Sequence, residues 1–205
     1  MQRTTRVALG LFAAWVVNDL EELATMSAGS RRVLARVPPA VPLPRGIRER
    51  GLSQRHCATA IGVAGLAFAA ASAAGVRSRG RSPWFRGALL GFGVHGFGHL
   101  GASVALRGYT SGVLTAPTVV IPYWWWARRE LAREGVPTED GASTAVALAG
   151  VPLLVGTHLV VAALLREPAG AAPRPDAVPG PASSGPAAAG PSSARRRARR
   201  GPWAG

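Results

Sequence analysis

Five long apolar stretches constrain the fold of this 205-residue chain more than any other feature. They contain 18, 21, 23, 18 and 23 residues and comprise Val7–Ala24, His56–Val76, Trp84–Leu106, Thr110–Ala127 and Ser143–Leu165. The hydrocarbon core of a bilayer is about 30 Å thick, so a helix that rises about 1.5 Å per residue crosses it with about 20 residues. The stretches therefore predict an all-α membrane protein in which residues 1–165 form a bundle of five transmembrane helices.

The distribution of charge favours this prediction over a soluble helical bundle. Of 34 charged residues, four fall inside the stretches: Asp19, Glu21, Glu22 and Arg86. A soluble helix needs a polar stripe, whereas Ala60–Ala71 is small or apolar on every side. Prolines in the fourth and fifth stretches are compatible with transmembrane helices. A cleaved signal peptide is the alternative for the first stretch, but acids that directly follow an apolar run fit such a peptide poorly.

The connections indicate how the chain is oriented. Ser27–Arg55 is predicted to be a long loop rich in Arg and Pro. With five spans, 15 Arg lie on the side of this loop and of the C-terminus, and 9 lie on the other side. The positive-inside rule then predicts a multi-pass protein of the cell membrane with its N-terminus outside and its C-terminus in the cytoplasm.

The last 40 residues are predicted to be a disordered tail. Residues 166–205 consist largely of Pro, Ala, Gly, Ser and Arg and contain too few large apolar side chains to form a core. Within them, Ala194–Arg200 carries five Arg and is expected to attract anionic lipid headgroups. Membrane lipids are the expected partners. All 24 basic residues are Arg, which indicates a coding bias, so the net charge of +14 is not taken to indicate a nucleic-acid partner.

Polar side chains gather toward one end of the predicted bundle. Because odd-numbered and even-numbered spans run in opposite directions, the ends of the first, third and fifth meet the starts of the second and fourth. The residues at that end are Asn18, Asp19, Glu21, Glu22, His56, His95, His99, Tyr109 and His158. Some of them could simply be interfacial. Ionisable groups deeper in a bilayer are costly and usually face a partner, which makes this end the candidate site.

The spacing of these side chains suggests a metal site. His95 and His99 are four residues apart, so their imidazoles share one helix face, and the two neighbouring glutamates can share a face with Asn18. Imidazole and carboxylate together suit Zn, Mn or Fe. One glutamate could serve as general base for a bound water. The predicted ligands are Glu21, Glu22, His95 and His99, with Asn18 and His158 as further candidates. A hydrogen-bonded network without a metal is the alternative.

Other chemistries find little support. One cysteine, Cys57, excludes a disulfide framework and a cysteine-based metal cluster. The sequence contains no nucleophile elbow, phosphate-binding loop or dinucleotide fingerprint, because the glycines of the third stretch do not follow a strand. These glycines instead indicate close helix packing.

The order of the motifs resembles the HXXEE-domain family of small multi-pass membrane proteins. That family has His-x-x-Glu-Glu in an early helix, a later histidine and a Tyr-x-Pro-Gly turn. Here the first motif reads Asn18-Asp19-Leu20-Glu21-Glu22, and His99 matches the later histidine, with His95 as a second candidate. The turn reads Tyr109-Thr110-Ser111-Gly112. The resemblance extends from about Val7 to Trp126 and implies that Tyr109 and Gly112 belong to the site.

Two positions depart from the family pattern. Asn18 stands in place of the motif histidine, and Ser111 stands in place of the proline. An amide coordinates weakly through its oxygen and does not titrate near neutral pH. If the family histidine is a ligand or a base, this chain is expected to bind metal less tightly or to be less active.

Three functions are compatible with these features. The first is a metal-dependent enzyme within the membrane that acts on a lipid-like substrate. The second is a proton-coupled transporter, although five spans without an internal repeat are unusual for one. The third is a non-catalytic membrane scaffold whose basic tail binds lipid.

Overall fold

The computed structural model describes residues 2–40 and 45–165, and within these ranges the chain is helical and contains no strand. This confirms the predicted all-α class. The tail predicted for residues 166–205, with its basic run Ala194–Arg200, lies outside the described residues. The helices are α1 (Arg3–Leu34), α2 (Arg45–Arg50), α3 (Gln54–Arg77), α4 (Pro83–Leu106), α5 (Ile121–Arg133) and α6 (Gly141–Leu164).

Three of the described helices are long and apolar enough to cross a membrane, and they are α3, α4 and α6. Each contains 24 residues, which corresponds to about 36 Å at about 1.5 Å per residue. Their ends lie within two residues of the second, third and fifth predicted spans. α1 and α5 carry more charge and are less apolar, so their length and composition alone do not mark them as spans.

α1 is longer than predicted. It continues to Leu34, although the stretch was expected to end at Ala24 and a loop to begin at Ser27. Tertiary contacts hold this extension: the Ser30 hydroxyl accepts a hydrogen bond from the Leu52 N–H at 2.8 Å, and Arg32 donates to the Leu106 carbonyl at 3.0 Å. The predicted loop also contains the short helix α2.

α1 packs along α3, and small residues allow the close approach. A Cβ on Gly65 of α3 would lie 2.7 Å from the indole of Trp15, and one on Gly75 would lie 2.6 Å from the ring of Phe85 in α4. Bulky residues from α1, α4, α5 and the segment just before α5 form the core of the bundle. The buried cluster includes Val7, Leu11, Trp15, Phe85, Leu89, Phe92, Val120 and Leu131.

The fourth predicted helix begins later than expected. The chain forms a turn at Ser111–Leu114, a π-helical segment at Ala116–Val120, and then α5, so the helical part starts about five residues after Thr110. Gly112 has a φ of +81°, a backbone conformation that side-chain-bearing residues disfavour. This conformation is not helical, so the helix cannot begin before this turn. Prolines at 117 and 122 lack an N–H donor and prevent the usual i to i−4 pattern. The Ile121 N–H bonds to the Ala116 carbonyl five residues back.

α6 begins at a well-defined cap. The Asp140 carboxylate accepts the Ser143 N–H at 2.8 Å, and the Ser143 hydroxyl accepts the Asp140 N–H at 2.8 Å. Arg86 of α4 donates to the same carboxylate at 2.6 Å and to the Pro137 carbonyl at 3.1 Å. The Ser143 N–H, followed by the Arg86 guanidinium, holds the pKa of Asp140 at about 2, below its usual value near 3.8. Arg86, the one charged residue inside the third apolar stretch, thus connects α4 to the start of α6.

Candidate metal centre

Glu22 lies at the centre of the polar cluster. It is 5% exposed on the face of α1 that turns toward α4. Its Oε1 atom lies 3.1 Å from Nε2 of His95 and 2.9 Å from Nε2 of His99. The two histidines are one turn apart on α4, and their Nε2 atoms are 2.8 Å from each other. One carboxylate oxygen and two imidazole nitrogens therefore form a nearly equilateral triangle.

The dimensions of this triangle suit a small divalent cation. A point equidistant from the three atoms in their plane lies about 1.7 Å from each, whereas Zn²⁺ binds imidazole and carboxylate at about 2.0–2.2 Å. Glu22, His95 and His99 are close enough to hold a metal ion between them. Three protein ligands leave a fourth tetrahedral position for water or substrate, as in catalytic zinc sites.

A hydrogen bond can also account for the contact between the two imidazoles. Two ring nitrogens 2.8 Å apart can share one proton, because two N–H groups would point at each other. The Glu22 carboxylate attracts cations to the same point. A shared proton or a bound cation would each satisfy the three groups, so the geometry is compatible with a hydrogen-bonded network and with a metal site.

The turn at Tyr109–Gly112 packs directly on His99, one of the candidate ligands. A Cβ on Gly112 would lie 2.4 Å from Cε1 and 2.5 Å from Nε2 of the His99 ring. The positive φ of Gly112 and this contact both require glycine. Gly112 is therefore not a ligand, but it determines where the His99 ring lies. The His99 side chain is 12% exposed, whereas that of His95 is 42% exposed.

Asn18 supports Glu22 and does not present its oxygen to the cluster. It is fully buried, and its Nδ2 donates to Oε1 of Glu22 at 2.9 Å. Its Oδ1 lies 3.0 Å from the Thr115 hydroxyl. Asp19, also buried, accepts a longer hydrogen bond of 3.3 Å from the same amide. The residue that replaces the motif histidine therefore orients the glutamate through hydrogen bonds.

Glu21 is bound to the turn before α5 and not to the histidines. Its Oε1 accepts the Tyr109 hydroxyl at 2.6 Å and the Leu114 N–H at 3.2 Å. Its Oε2 accepts the Thr115 N–H at 2.8 Å and the Thr115 hydroxyl at 2.7 Å. Four donors thus occupy this carboxylate, which satisfies backbone N–H groups at the start of a helical segment. Hydrogen bonds from Tyr109 and Thr115 to Glu21 therefore hold α1 against the turn.

Two contacts at this end were not foreseen from the sequence. Thr115 connects Glu21 with Asn18, because its hydroxyl lies within hydrogen-bonding distance of both, and Asn18 in turn donates to Glu22. Ser111, at the proline position of the family turn, pairs with the Thr25 hydroxyl at 2.8 Å. The only sequence signal for Thr115 is a hydroxyl within an otherwise apolar run before Pro117.

His158 belongs to a second pair of histidines. Its Nδ1 lies 2.9 Å from Nε2 of His56, which is fully buried in the first turn of α3. The structure thus brings together Glu22, His95 and His99 of the predicted ligands. It places Glu21, Asn18 and Tyr109 in the surrounding network and His158 in a separate contact.

Fold and site together define a class: a helical protein with membrane-compatible helices and a carboxylate–bis-imidazole cluster near one end of the bundle. A family model described as "Protein of unknown function with HXXEE motif" matches residues 9–127, which is more than half of the chain. The chain therefore belongs to the HXXEE family, as the sequence analysis predicted. Searches of the curated proteins and of the solved structures found no match.

Proposed function

We propose that this protein is a metal-dependent enzyme embedded in the membrane and that it acts on a lipid-like substrate. The convergence of Glu22, His95 and His99 on one point carries the proposal. A divalent ion bound there would supply Lewis acidity and lower the pKa of a bound water. Glu22 would be a ligand through Oε1 and would offer its second carboxylate oxygen as the general base. Glu21 would be a positioning residue.

The position of His95 supports a substrate that enters from the lipid. His95 is the thirteenth of 24 residues in α4, and its side chain is 42% exposed, so the cluster is open at the middle of a membrane-compatible helix. The exposed neighbours Val94 and Phe97 are apolar. A water-soluble substrate would make few favourable contacts with these apolar side chains. An amphiphile can place a polar group at the cluster and its acyl chains against the apolar side chains.

Five membrane spans are part of this proposal. α1 lies along α3 over most of its length, with Trp15 against Gly65 and Ala8 against Gly75, so a bilayer crossed by α3 would also contain α1. The Tyr123 hydroxyl of α5 donates to the Val7 carbonyl of α1 at 2.6 Å, which places α5 beside α1. We further propose a cell-membrane location with the N-terminus outside, following the Arg distribution.

Metal analysis of purified protein in phospholipid nanodiscs tests the proposed centre. We expect about one Zn²⁺ per wild-type chain, and loss of this ion in Glu22→Gln and His99→Ala, because each removes a ligand. Glu134→Gln is the matched control, since Glu134 forms an exposed contact with Arg3 at 3.8 Å. Unchanged Zn²⁺ binding in both ligand variants would refute the centre.

The reaction itself is tested with lipid. Wild-type protein and Glu22→Gln are incubated with an extract of total membrane lipid, and products are measured by mass spectrometry with and without a chelator. Turnover that requires Glu22 and is restored by Zn²⁺ is the expected result. Metal binding without any lipid turnover would show that the protein binds a metal but does not have the proposed enzyme activity.

The basic run Ala194–Arg200 is proposed to bind anionic headgroups, because clustered Arg near a membrane surface attracts them with about 1 kcal/mol per residue. Deletion of residues 167–205 should lower binding to vesicles that contain phosphatidylserine. Equal binding by the shortened chain would refute this role.

A further inference from the structure

Arg107 stands at a position where glycine is the usual residue. It follows the last residue of α4 with a φ of +48°. Its N–H bonds to the Val104 carbonyl at 3.1 Å, and the Gly108 N–H bonds to the Ser103 carbonyl at 3.1 Å. This pair of hydrogen bonds ends many helices, with glycine in the left-handed position because it has no Cβ to clash. The backbone at the end of α4 would thus favour glycine over the arginine that stands there.

A second arginine, Arg32 of α1, lies against the same turn. Its Nη2 donates to the Leu106 carbonyl at 3.0 Å. A Cβ on Gly108 would lie 2.8 Å from that Nη2 and 3.1 Å from Nη1, so the guanidinium packs beside Gly108. Arg32 therefore contacts the residues on both sides of Arg107. Because both arginines are exposed, two positive charges are available at one turn.

The two charges are not compensated by an acid within the part of the chain that the structure describes. There, neither Arg32 nor Arg107 forms an ion pair with an aspartate or glutamate, whereas Arg86, Arg128 and Arg133 at the opposite end of the bundle each do so. Neighbouring guanidinium groups repel each other, and an anion bound between them removes this repulsion. Guanidinium is also the side chain whose paired N–H groups match phosphate oxygens. The turn is therefore suited to a phosphate group.

The position of the turn favours a lipid as the source of this phosphate. α4 is long and apolar enough to cross a membrane, and its 24 residues span about 36 Å. This length exceeds the roughly 30 Å of bilayer hydrocarbon, so the residue that follows α4 lies among the headgroups of a bilayer that α4 crosses. Val104 and Phe97 are exposed, and they share one side of α4 because they are seven residues apart. A phospholipid can place its phosphate at the turn and an acyl chain along these apolar side chains.

We propose that Arg32 and Arg107 form a binding site for the phosphate of an anionic phospholipid. Their N–H groups donate to the free phosphate oxygens, and a lipid without a cationic headgroup fits best because the turn already carries two cations. This site is distinct from the basic run Ala194–Arg200. It does not depend on the proposed metal-dependent activity, since Arg107 lies eight residues, or about 12 Å along the helix, beyond His99.

Lipid titration of the full-length chain tests the site. The protein is held in detergent micelles, and native mass spectrometry measures its affinity for phosphatidylglycerol and for phosphatidylcholine. Wild-type protein should bind phosphatidylglycerol more tightly. Arg107→Gly should weaken this binding about fivefold, or by about 1 kcal/mol, as expected for one arginine near a membrane surface. The variant relieves the left-handed backbone, so the loss does not report misfolding. Arg32→Gln keeps an N–H donor, removes the charge and should weaken binding similarly.

Arg79→Gly is the matched control. Arg79 is also exposed and has a φ of +52°, but it follows α3 at the opposite end of the bundle. We expect it to bind phosphatidylglycerol as wild type does. Equal weakening by Arg79→Gly and Arg107→Gly would mean that net charge attracts lipid without a site. Wild-type affinity in both Arg107→Gly and Arg32→Gln would refute the site directly.

An excess of inorganic phosphate at constant ionic strength distinguishes lipid from free phosphate. It should leave phosphatidylglycerol bound, because the acyl chain adds contacts that the free ion lacks. Displacement of the lipid would overturn the assignment to phospholipid. Zn²⁺ takes no part in these measurements, so their outcome is independent of the metal centre.

Discussion

Gly112 offers a direct way to perturb the centre without touching a ligand. Its Cα faces the His99 ring, and an added Cβ would lie 2.4–2.7 Å from three ring atoms. Ordinary contacts of a Cβ atom are 3.4–4 Å, so the ring would have to retreat by about 1 Å. If Zn²⁺ is bound as proposed, its bond to the His99 nitrogen, about 2.0–2.1 Å long, would be lengthened or lost by such a displacement.

We therefore expect Gly112→Ala to weaken Zn²⁺ binding by at least tenfold, within the 10–100-fold range typical when a residue that supports a ligand is changed. A tenfold loss corresponds to about 1.4 kcal/mol. The variant also imposes the cost of a left-handed backbone on alanine, about 1–2 kcal/mol. Affinity is measured by competition with a fluorescent zinc chelator, and stability by thermal unfolding without metal.

Gly135 provides the matched control. It also has a positive φ, +64°, but an added Cβ would meet nothing within 4 Å. Gly135→Ala should therefore lower stability through the backbone and leave Zn²⁺ affinity unchanged. Equal affinities for the two alanine variants would show that Gly112 does not hold His99 in place, and the geometric account of the centre would be wrong.

Three further variants examine the surroundings of the centre. Asn18→Leu removes the amide donor from the central glutamate and should weaken Zn²⁺ binding about tenfold; unchanged affinity in isothermal titration would contradict the orienting role. Tyr109→Phe removes one of four donors to Glu21 and should lower the free energy of unfolding by about 1 kcal/mol with little effect on Zn²⁺ affinity, as measured by denaturation and titration. Asp140→Asn keeps an N-cap but loses the charge that pairs with Arg86. Because the pKa of Asp140 is lowered in the folded protein, its stabilisation is present above about pH 4 and is lost toward pH 2. The difference in melting temperature between wild type and Asp140→Asn should therefore shrink on acidification, and a constant difference would contradict the charge pair.

Helix positions were largely predictable where the sequence is uniformly apolar. The bounds of α3, α4 and α6 follow from apolar runs that are flanked closely by charged residues. The end of α1 could not be predicted in this way, because Ser30 and Arg32 are helical through contacts with residues 51–52 and 106–108 that are distant in sequence. A local pattern contains no information about such partners.

The site was predictable in its composition but not in its division of roles. His95 and His99 share a helix face by their spacing, and shared depth connects them with the acids of α1. Adjacent residues on a helix point about 100° apart, so Glu21 and Glu22 cannot both reach the same pair of imidazoles. Which of them does so depends on the rotation of α1, and the sequence does not specify that rotation. The pairing of His56 with His158 likewise depends on how α6 rests against α3.

The length of α1 has a consequence for the chemical bond that the centre can reach. At 32 residues the helix is about 48 Å long, well beyond the roughly 30 Å of bilayer hydrocarbon. With Arg6 at one boundary of the hydrocarbon, about 20 residues would bring α1 to the opposite boundary near Met26. Glu22 on α1 would then lie about 6 Å below that boundary, whereas His95 stands near the middle of α4, so the cluster would extend from the outer part of the hydrocarbon toward its centre. If the proposed function holds, the ester linkages of a phospholipid, beneath the phosphate and above most of the acyl chain, are the bonds at the level of Glu22.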